Sequence, residues 1–220
     1  MRRLTVQMFV TLDGVAQALG DPDEDPTGGF DQGGWSVGYW DDVMMRVMGE
    51  SMSAPSDLLL GRKTYEIFAA HWPAAGDEPG AAELNGATKH VASRTLRQLD
   101  WENSRLIEGD LVEAVTKLKQ ADGPELQVLG SIDLVQTLLP TGLIDAYHLW
   151  IFPVVVGKGK RLFGDGAMPS GLALADTRTS STGVLINTYL PAGRIKAGSF
   201  ALEESTPEEV ERRQKMAAES

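Results

Sequence analysis

Three segments of the chain place glycine, hydroxyl and basic residues directly after an apolar run. The first is Gly61-Arg62-Lys63-Thr64, which follows a run of three leucines and precedes a helical pattern. A strand that leads into a helix N-terminus presents unpaired backbone N–H groups, which favour an anion such as phosphate. The glycine lets that anion approach the backbone, the basic pair adds charge, and the threonine offers a hydroxyl. An ordinary strand-to-helix turn with solvated basic residues explains this segment equally well when it is considered alone.

Two further strand ends carry similar chemistry. One predicted strand is followed by Ser93 and Arg94, and a guanidinium group can hold two phosphate oxygens at once. Another is followed by Gly130 and Ser131, which open directly into an apolar-faced helix. A serine that caps a turn, or a glycine that only allows close packing, is the structural alternative at these sites. Taken together, the three segments indicate a ligand across the carboxyl ends of strands in an open α/β sheet.

The elements that must position these segments alternate between strand and helix and then become strands alone. Strands are predicted at residues 3–10, 58–60, 88–92, 104–107, 125–129, 144–153, 172–180 and 183–190, and helices at 41–53, after Gly61, after the capping residue Asp110, and at 131–139. Two long connections, 19–38 and 71–87, interrupt this order, and loops of such length are often functional. The order predicts an α/β domain whose mixed sheet is parallel in the centre and antiparallel at its C-terminal hairpin.

Composition narrows the class of protein. A chain of 220 residues suits one domain, predicted at residues 1–200, followed by a charged tail at 201–220. The net charge of -11 argues against nonspecific nucleic-acid binding. The absence of cysteine excludes zinc–thiolate sites and thiol nucleophiles, and the three scattered histidines predict no metal site. No apolar run approaches the roughly 20 residues that span a bilayer, and the first residues lead directly into a strand pattern, so a cytoplasmic location is expected.

The chain resembles the dihydrofolate-reductase-like superfamily, most closely the reductase domain of bifunctional riboflavin-biosynthesis deaminase-reductases and their stand-alone relatives. The matching segments, in order, are Thr11-Leu12-Asp13-Gly14, Leu60-Gly61-Arg62-Lys63-Thr64, Val91-Ala92-Ser93-Arg94-Thr95, Val128-Leu129-Gly130-Ser131 and Pro153-Val154-Val155-Val156-Gly157-Lys158-Gly159. Each segment is weakly specific alone, whereas five in this order are fairly specific. The resemblance covers roughly residues 3–190 and implies a three-layer fold with helices on both faces of the sheet.

The resemblance also implies an NADPH-dependent reductase of a small pyrimidine- or pterin-like heterocycle, assembled as a homodimer. The cofactor-binding residues that it implies are Gly61, Arg62, Lys63, Thr64, Ser93, Arg94, Gly130 and Ser131. Among these, Ser93 and Arg94 match the pair that contacts the adenosine 2′-phosphate, and the others match the diphosphate and nicotinamide side. The family has a second glycine where this chain has Ser131.

Three aspartates are the candidate catalytic residues. Dihydrofolate reductases carry an acid at the start of the helix before the Gly-Arg-x-Thr strand, and Asp41 and Asp42 occupy that place here. A carboxylate there would anchor the amidine-like edge of the ring during reduction of a C=N bond. Asp13 is a further candidate. The structural alternatives are a helix N-cap for Asp41, a favourable first-turn charge for Asp42 and a turn residue for Asp13.

The chain departs from dihydrofolate reductases between His71 and Thr88. Dihydrofolate reductases have an arginine in this region that binds the folate carboxylate, and this chain has none. A buried carboxylate would lack a partner, so a ribosylaminopyrimidine or another small heterocycle fits better than folate. The chain also lacks the His-x-Glu and cysteine signature of a deaminase, which leaves a stand-alone reductase. A non-catalytic NADP(H)-binding or sensor protein and a flavin-dependent reductase are the other functions left open.

Overall fold

A computed structural model describes residues 1–165, 167–201 and 204–219. The strands in these ranges are β1 Leu4–Thr11, β2 Ser56–Gly61, β3 Lys89–Ala92, β4 Ser104–Leu106, β5 Glu125–Gly130, β6 Ala146–Phe152, β7 Leu172–Thr179 and β8 Leu185–Pro191. The helices are α1 Asp42–Met52, α2 Arg62–His71, α3 Ala81–Gly86, α4 Leu111–Gln120, α5 Ile132–Leu138 and α6 Pro207–Ala218. Short 3-10 turns lie at Val37–Tyr39, Trp72–Ala74 and Leu139–Thr141.

The strands form one mixed sheet in the order β4-β3-β2-β5-β1-β6-β8-β7. Every neighbouring pair from β4 to β6 is parallel, and β8 is antiparallel to both β6 and β7. The predicted parallel centre and antiparallel C-terminal hairpin are therefore confirmed. The β1 strand lies in the middle, where Val6 pairs with Val128 on one side and Tyr147 on the other.

Side-chain alternation along β1 separates the two faces of the sheet. Leu4, Val6 and Met8 point to one face and pack with the buried residues of α4 and α5, including Val115 and Leu138. The residues between them point to the opposite face, which carries α1 and α2. Burial on both faces explains why the central strands consist largely of apolar residues.

The connection 19–38 was predicted as an irregular loop, and the structure shows a well-anchored one. Phe30 and Trp35 are buried in a cluster that includes Phe152, although neither residue belongs to a periodic apolar pattern. The indole N–H of Trp35 donates to the backbone oxygen of Gln17 over 2.8 Å. Single aromatic anchors rather than a repeating pattern therefore fix this segment.

The connection 71–87 contains a helix that the sequence pattern did not indicate. The α3 helix has only six residues, begins after Gly80 and ends at Gly86. The charged tail contains α6, whose first turn is capped by Thr206. The division at residue 200 stays a prediction, and Leu202, Glu203 and Ser220 of the tail lie outside the described residues. Within the described ranges, no helix is long and apolar enough to cross a membrane.

Candidate functional site

A cavity of about 1110 Å³ opens on the face of the sheet that carries α1 and α2. The residues that line it come mainly from β1, β2, β5, the helices α1 and α2, the connection 19–38 and the segment 79–88 around α3. Phe9 and Trp40 form an aromatic wall, with ring centroids 5.9 Å apart. Met45 and Met48 of α1 add flexible apolar side chains, so flat apolar surfaces and methionines dominate this part of the cavity.

One edge of the cavity is built where β2 and β5 end. We call Gly61, Thr64, Gly130 and Ser131 the glycine rim. Leu60 pairs with Gly130 across the two strands, and a cis peptide bond joins Gly130 to Ser131. A Cβ atom at Gly61 would overlap Oγ of Ser131, and one at Gly130 would lie 2.5 Å from Oγ1 of Thr64. Both glycines are therefore required by close contact across the rim.

The helix that begins at the glycine rim has no side-chain cap. The first turns of α1 and α4 are capped by Asp41 and Asp110, whose carboxylates accept backbone N–H groups. In contrast, α2 begins at Gly61 without a side-chain hydrogen bond to its first turn. Its free N–H groups and the positive end of its dipole are thus available to an anion. The sequence predicted this arrangement at Gly61.

The predicted cofactor residues divide into two groups. Lys63, Thr64, Gly130 and Ser131 line the cavity, and Gly61 lies against Ser131 without lining the cavity itself. The strand ends of β2 and β3 are also adjacent, because Gly61 pairs with Ala92. The structure thus brings all three predicted segments to one edge of the sheet.

The remaining predicted cofactor residues do not line the cavity. Arg62 pairs with Glu66 of its own helix, at 2.8 Å. The Ser93 hydroxyl accepts the backbone N–H of Leu96 at 3.0 Å and so caps the turn after β3. Arg94 is exposed in the same turn. A role for these three residues in cofactor binding stays a prediction.

Lys63 belongs to a cluster that holds the connection 19–38 against α2. We call Lys63, Lys160, Asp25 and Thr27 the lysine clamp. The two ammonium groups lie 3.1 Å and 2.6 Å from oxygens of the Asp25 carboxylate. Both also donate to the Thr27 hydroxyl, over 2.8 Å and 2.9 Å. Burial alone would raise the pKa of Asp25, but the hydrogen bonds from Lys160, Thr27 and Lys63 outweigh it and lower that pKa strongly.

Asp13 lies at the end of β1 and does not line the cavity. Its carboxylate accepts the Thr11 hydroxyl at 2.6 Å and the backbone N–H of Gly157 at 2.8 Å. Burial would raise the pKa of Asp13, but these hydrogen bonds and a weaker one from Val156 lower it overall. This geometry fits the turn role, in which Asp13 fastens β1 to the segment after β6.

Asp41 and Asp42 also lie away from the cavity lining. One Asp41 oxygen accepts the N–H of Met44 at 2.8 Å as the cap of α1, and the other accepts the N–H and hydroxyl of Ser181. The hydrogen bond from Met44, followed by those from Ser181, lowers the pKa of Asp41. Asp42 is exposed in the first turn of α1. A catalytic role for any of the three aspartates stays a prediction. The hydrogen bonds described above stabilise a turn at Asp13 and the start of α1 at Asp41.

Two glutamines were missed by the sequence reading. Gln7 of β1 and Gln127 of β5 lie side by side on the cavity floor and are only 5% and 8% exposed. We call this pair the amide floor. Asp25 and Lys160 of the lysine clamp were also not singled out, although the length of the 19–38 connection was a signal for the neighbourhood of Asp25.

Comparison with known protein families identifies the chain. The model of the family described as "RibD C-terminal domain" matches residues 2–186. The chain belongs to the RibD C-terminal domain family. This membership confirms the resemblance to riboflavin-biosynthesis reductase domains, and the match covers β1 to β7 and only the first two residues of β8.

Individual relatives agree with this membership. The uncharacterized protein YyaP of Bacillus subtilis is 30% identical over 196 residues, which is 86% of this chain and 94% of YyaP. A solved deaminase/5-amino-6-(5-phosphoribosylamino)uracil reductase of Thermotoga maritima has a TM-score of 0.57 at 14% identity, over 87% of this chain and 57% of that one. Dihydrofolate reductase of Enterococcus faecalis, solved with NADP(H), has a TM-score of 0.54 at 14% identity, over 86% and 96%. These structures confirm the dihydrofolate-reductase-like fold of this RibD-family chain.

Proposed function

We propose that this RibD-family chain is an NADPH-dependent reductase of a small pyrimidine- or pterin-like heterocycle. The observation that carries the proposal is the cavity itself, which has the glycine rim and the uncapped start of α2 at one edge and flat apolar walls beside them. In open α/β sheets, ligands bind at the carboxyl ends of the strands, where this rim lies. The relatives that act as a uracil-type reductase and a dihydrofolate reductase support the choice of chemistry.

The residues at the rim fit a dinucleotide cofactor. Gly61 and Gly130 let Ser131 and Thr64 pack closely at the rim, which keeps the first turn of α2 beside the cavity. The uncapped first turn of α2 offers N–H groups to a diphosphate, and Thr64 offers a hydroxyl. When bound, NADPH would supply the hydride. The protein's part is to hold the diphosphate at the rim, orient the ring against Phe9 and Trp40, and exclude water.

A second candidate function is a non-catalytic NADP(H)-binding or sensor protein. The positions of Asp13 and Asp41 favour it, because both carboxylates are engaged in structural hydrogen bonds outside the cavity lining. Oxidation of NADPH in the presence of any heterocyclic acceptor would exclude this alternative. A homodimer and a cytoplasmic location stay predictions.

The cofactor assignment is tested by titrating the protein with NADPH and NADH. We expect a clear preference for NADPH in the wild type. In Arg94→Ala we expect at least tenfold weaker NADPH binding, about 1.4 kcal/mol, with NADH binding changed less than twofold. The reason is that only NADPH carries the 2′-phosphate that an arginine would hold.

Arg46→Ala is the matched control, because Arg46 is also an exposed arginine but lies on α1; this variant should bind both nucleotides as the wild type does. Equal losses for both nucleotides in Arg94→Ala would contradict the 2′-phosphate assignment. Failure of the wild type to bind either nucleotide would contradict the proposed function.

A further inference from the structure

We infer that the amide floor selects the substrate ring by its hydrogen-bonding edge. Gln7 and Gln127 favour a neutral ring with adjacent N–H and C=O groups, as in a lactam or uracil, over a protonated amidine edge such as that of a diaminopyrimidine. This inference rests on the proposed function to the extent that it needs the cavity to hold a flat heterocycle.

The position of the amide floor suits contact with a ring. Gln7 and Gln127 belong to adjacent parallel strands, in which Thr5 pairs with Gln127. Gln127 precedes Gly130 by three residues, which places it about 10 Å along the strand from the glycine rim. Met48 and Phe9 line the same cavity, and the distance between the rim and the floor is enough for a single heterocycle.

The hydrogen bonds within the amide floor leave polar groups available. Oε1 of Gln7 accepts from the Ser51 hydroxyl at 3.0 Å and from Nε2 of Gln127 at 3.4 Å. Nε2 of Gln7 has the thioether sulfur of Met48 as its acceptor at 3.6 Å, and a thioether is a weak acceptor. Oε1 of Gln127 accepts no hydrogen bond from any described residue. The floor therefore keeps a free carbonyl oxygen and weakly used N–H groups facing the cavity.

These free groups match a lactam edge. A carboxamide presents a donor and an acceptor side by side, so it pairs with a ring N–H and its neighbouring C=O. A protonated amidine presents donors only and needs a carboxylate, which supplies acceptors and opposite charge. Five carboxylates line other parts of the cavity. Asp25 is paired with Lys160 and Asp57 with Arg2. Glu24 accepts the backbone N–H of Gly20, while Glu83 and Asp133 are exposed on α3 and α5. A ligand that completes the amide floor also relieves the cost of poorly satisfied buried polar groups.

A purely structural role for the glutamines makes a different prediction. If Gln7 and Gln127 only tie β1 to β5 and to α1, their substitution lowers stability without changing which ring binds. Selectivity between rings therefore separates the two roles.

The test compares uracil with 2,4-diaminopyrimidine by ligand-observed NMR titration of the full chain without cofactor. We expect the wild type to bind uracil at least tenfold more tightly, and Gln127→Glu to reverse that order. Gln7→Glu serves as a second variant and is expected to change the ratio in the same direction. Gln120→Glu, at the exposed end of α4, controls for the added charge and should keep the wild-type ratio. Near-UV circular dichroism verifies folding of each variant.

Three outcomes would overturn the inference: wild-type binding of neither ring, equal binding of both, or an unchanged order in folded glutamate variants. If neither glutamate variant folds, the preference of the wild type for uracil over 2,4-diaminopyrimidine alone decides whether the inference holds. Parallel titration with NADPH distinguishes a failure of the amide-floor inference from a failure of the proposed function. A reversal of ring selectivity in a protein that neither binds nor oxidises NADPH would uphold the amide floor and reject the reductase.

Discussion

The glycine rim is formed by the close approach of two chain segments, whereas the amide floor, a few residues away along β5, is formed by long polar side chains. At the rim, Gly61 and Gly130 leave no room for a Cβ atom. On the floor, the buried side chains of Gln7 and Gln127 line the cavity and keep hydrogen-bonding capacity. The rim can recognise any anion that reaches its N–H groups, while the floor can distinguish ligands by the pattern of their donors and acceptors.

This difference separates the expected effects of mutation. Substitution at Gly61 or Gly130 forces the neighbouring Ser131 or Thr64 side chain to move and should reduce stability and cofactor binding together. Conservative substitution on the floor should change ligand preference more than stability. A protein in which both regions responded alike would contradict this division.

The largest effect is expected for Gly130→Ala. The backbone φ of Gly130 is +136°, which only glycine adopts readily, and a new Cβ atom would lie 2.5 Å from Oγ1 of Thr64. Strain and overpacking together should lower the free energy of unfolding by about 3 kcal/mol, measured by urea denaturation. Gly38→Ala, at a position with open space and no left-handed backbone, should change it by less than about 0.5 kcal/mol. Equal effects of the two substitutions would contradict the close contact at the rim.

A smaller effect, with a specific rescue, is expected for Gly61→Ala. The backbone φ of Gly61 is an ordinary −76°, so its restriction comes from Oγ of Ser131 rather than from backbone strain. We expect a loss of about 2 kcal/mol in unfolding free energy. Adding Ser131→Gly should restore at least half of this loss, because it removes the overlapping hydroxyl. Additive effects in the double-mutant cycle would show that the two residues do not contact as described.

The smallest effect is expected in the lysine clamp. The clamp belongs to neither the rim nor the floor, and it holds the 19–38 connection against α2. The pKa of Asp25 is lowered from 3.8 in the folded state, so its stabilising contribution is present above about pH 4 and is lost as the pH falls below that value. Asp25→Asn should therefore lower the unfolding free energy by about 1–2 kcal/mol at pH 6, and the difference from wild type should shrink at pH 3.

Urea midpoints at the two pH values measure this change. Asp23→Asn, at an exposed position of the same connection, is the control and should differ little from wild type at either pH. A pH-independent difference between wild type and Asp25→Asn would show that the charge of Asp25 is not what stabilises the clamp.

The sequence was sufficient to predict the rim and most of the sheet because the relevant signals are local. An apolar run that ends in Gly61, or in Gly130-Ser131, predicts both the strand and the helix that follows. Asp110 similarly predicts the start of α4, where its side chain accepts the N–H of Glu113. Such signals depend on residues within one turn of each other, so no tertiary information is needed.

The floor and the clamp depend on contacts that no local pattern contains. A single polar residue such as Gln7 within a strand normally indicates a solvent-facing side, and only the central place of β1 buries it. The clamp joins Asp25 to Lys63 and to Lys160, which are 38 and 135 residues away along the chain. The sequence left Asp13 and Asp41 open as catalytic acids or as turn and cap residues, and their hydrogen bonds in the structure fit the second alternative.

The central place of β1 has a consequence for how the protein is made. This first strand pairs with β5 and β6, and the Thr5 hydroxyl donates to a carboxylate oxygen of Glu125, 120 residues later. During synthesis, β1 leaves the ribosome long before either neighbour exists, so its apolar side chains have no sheet to join. Folding must then close a long loop, which is slow compared with forming local contacts. Nascent chains that end before β5 would thus expose the strand that later forms the middle of the sheet, and they are the species on which chaperones and proteases would act.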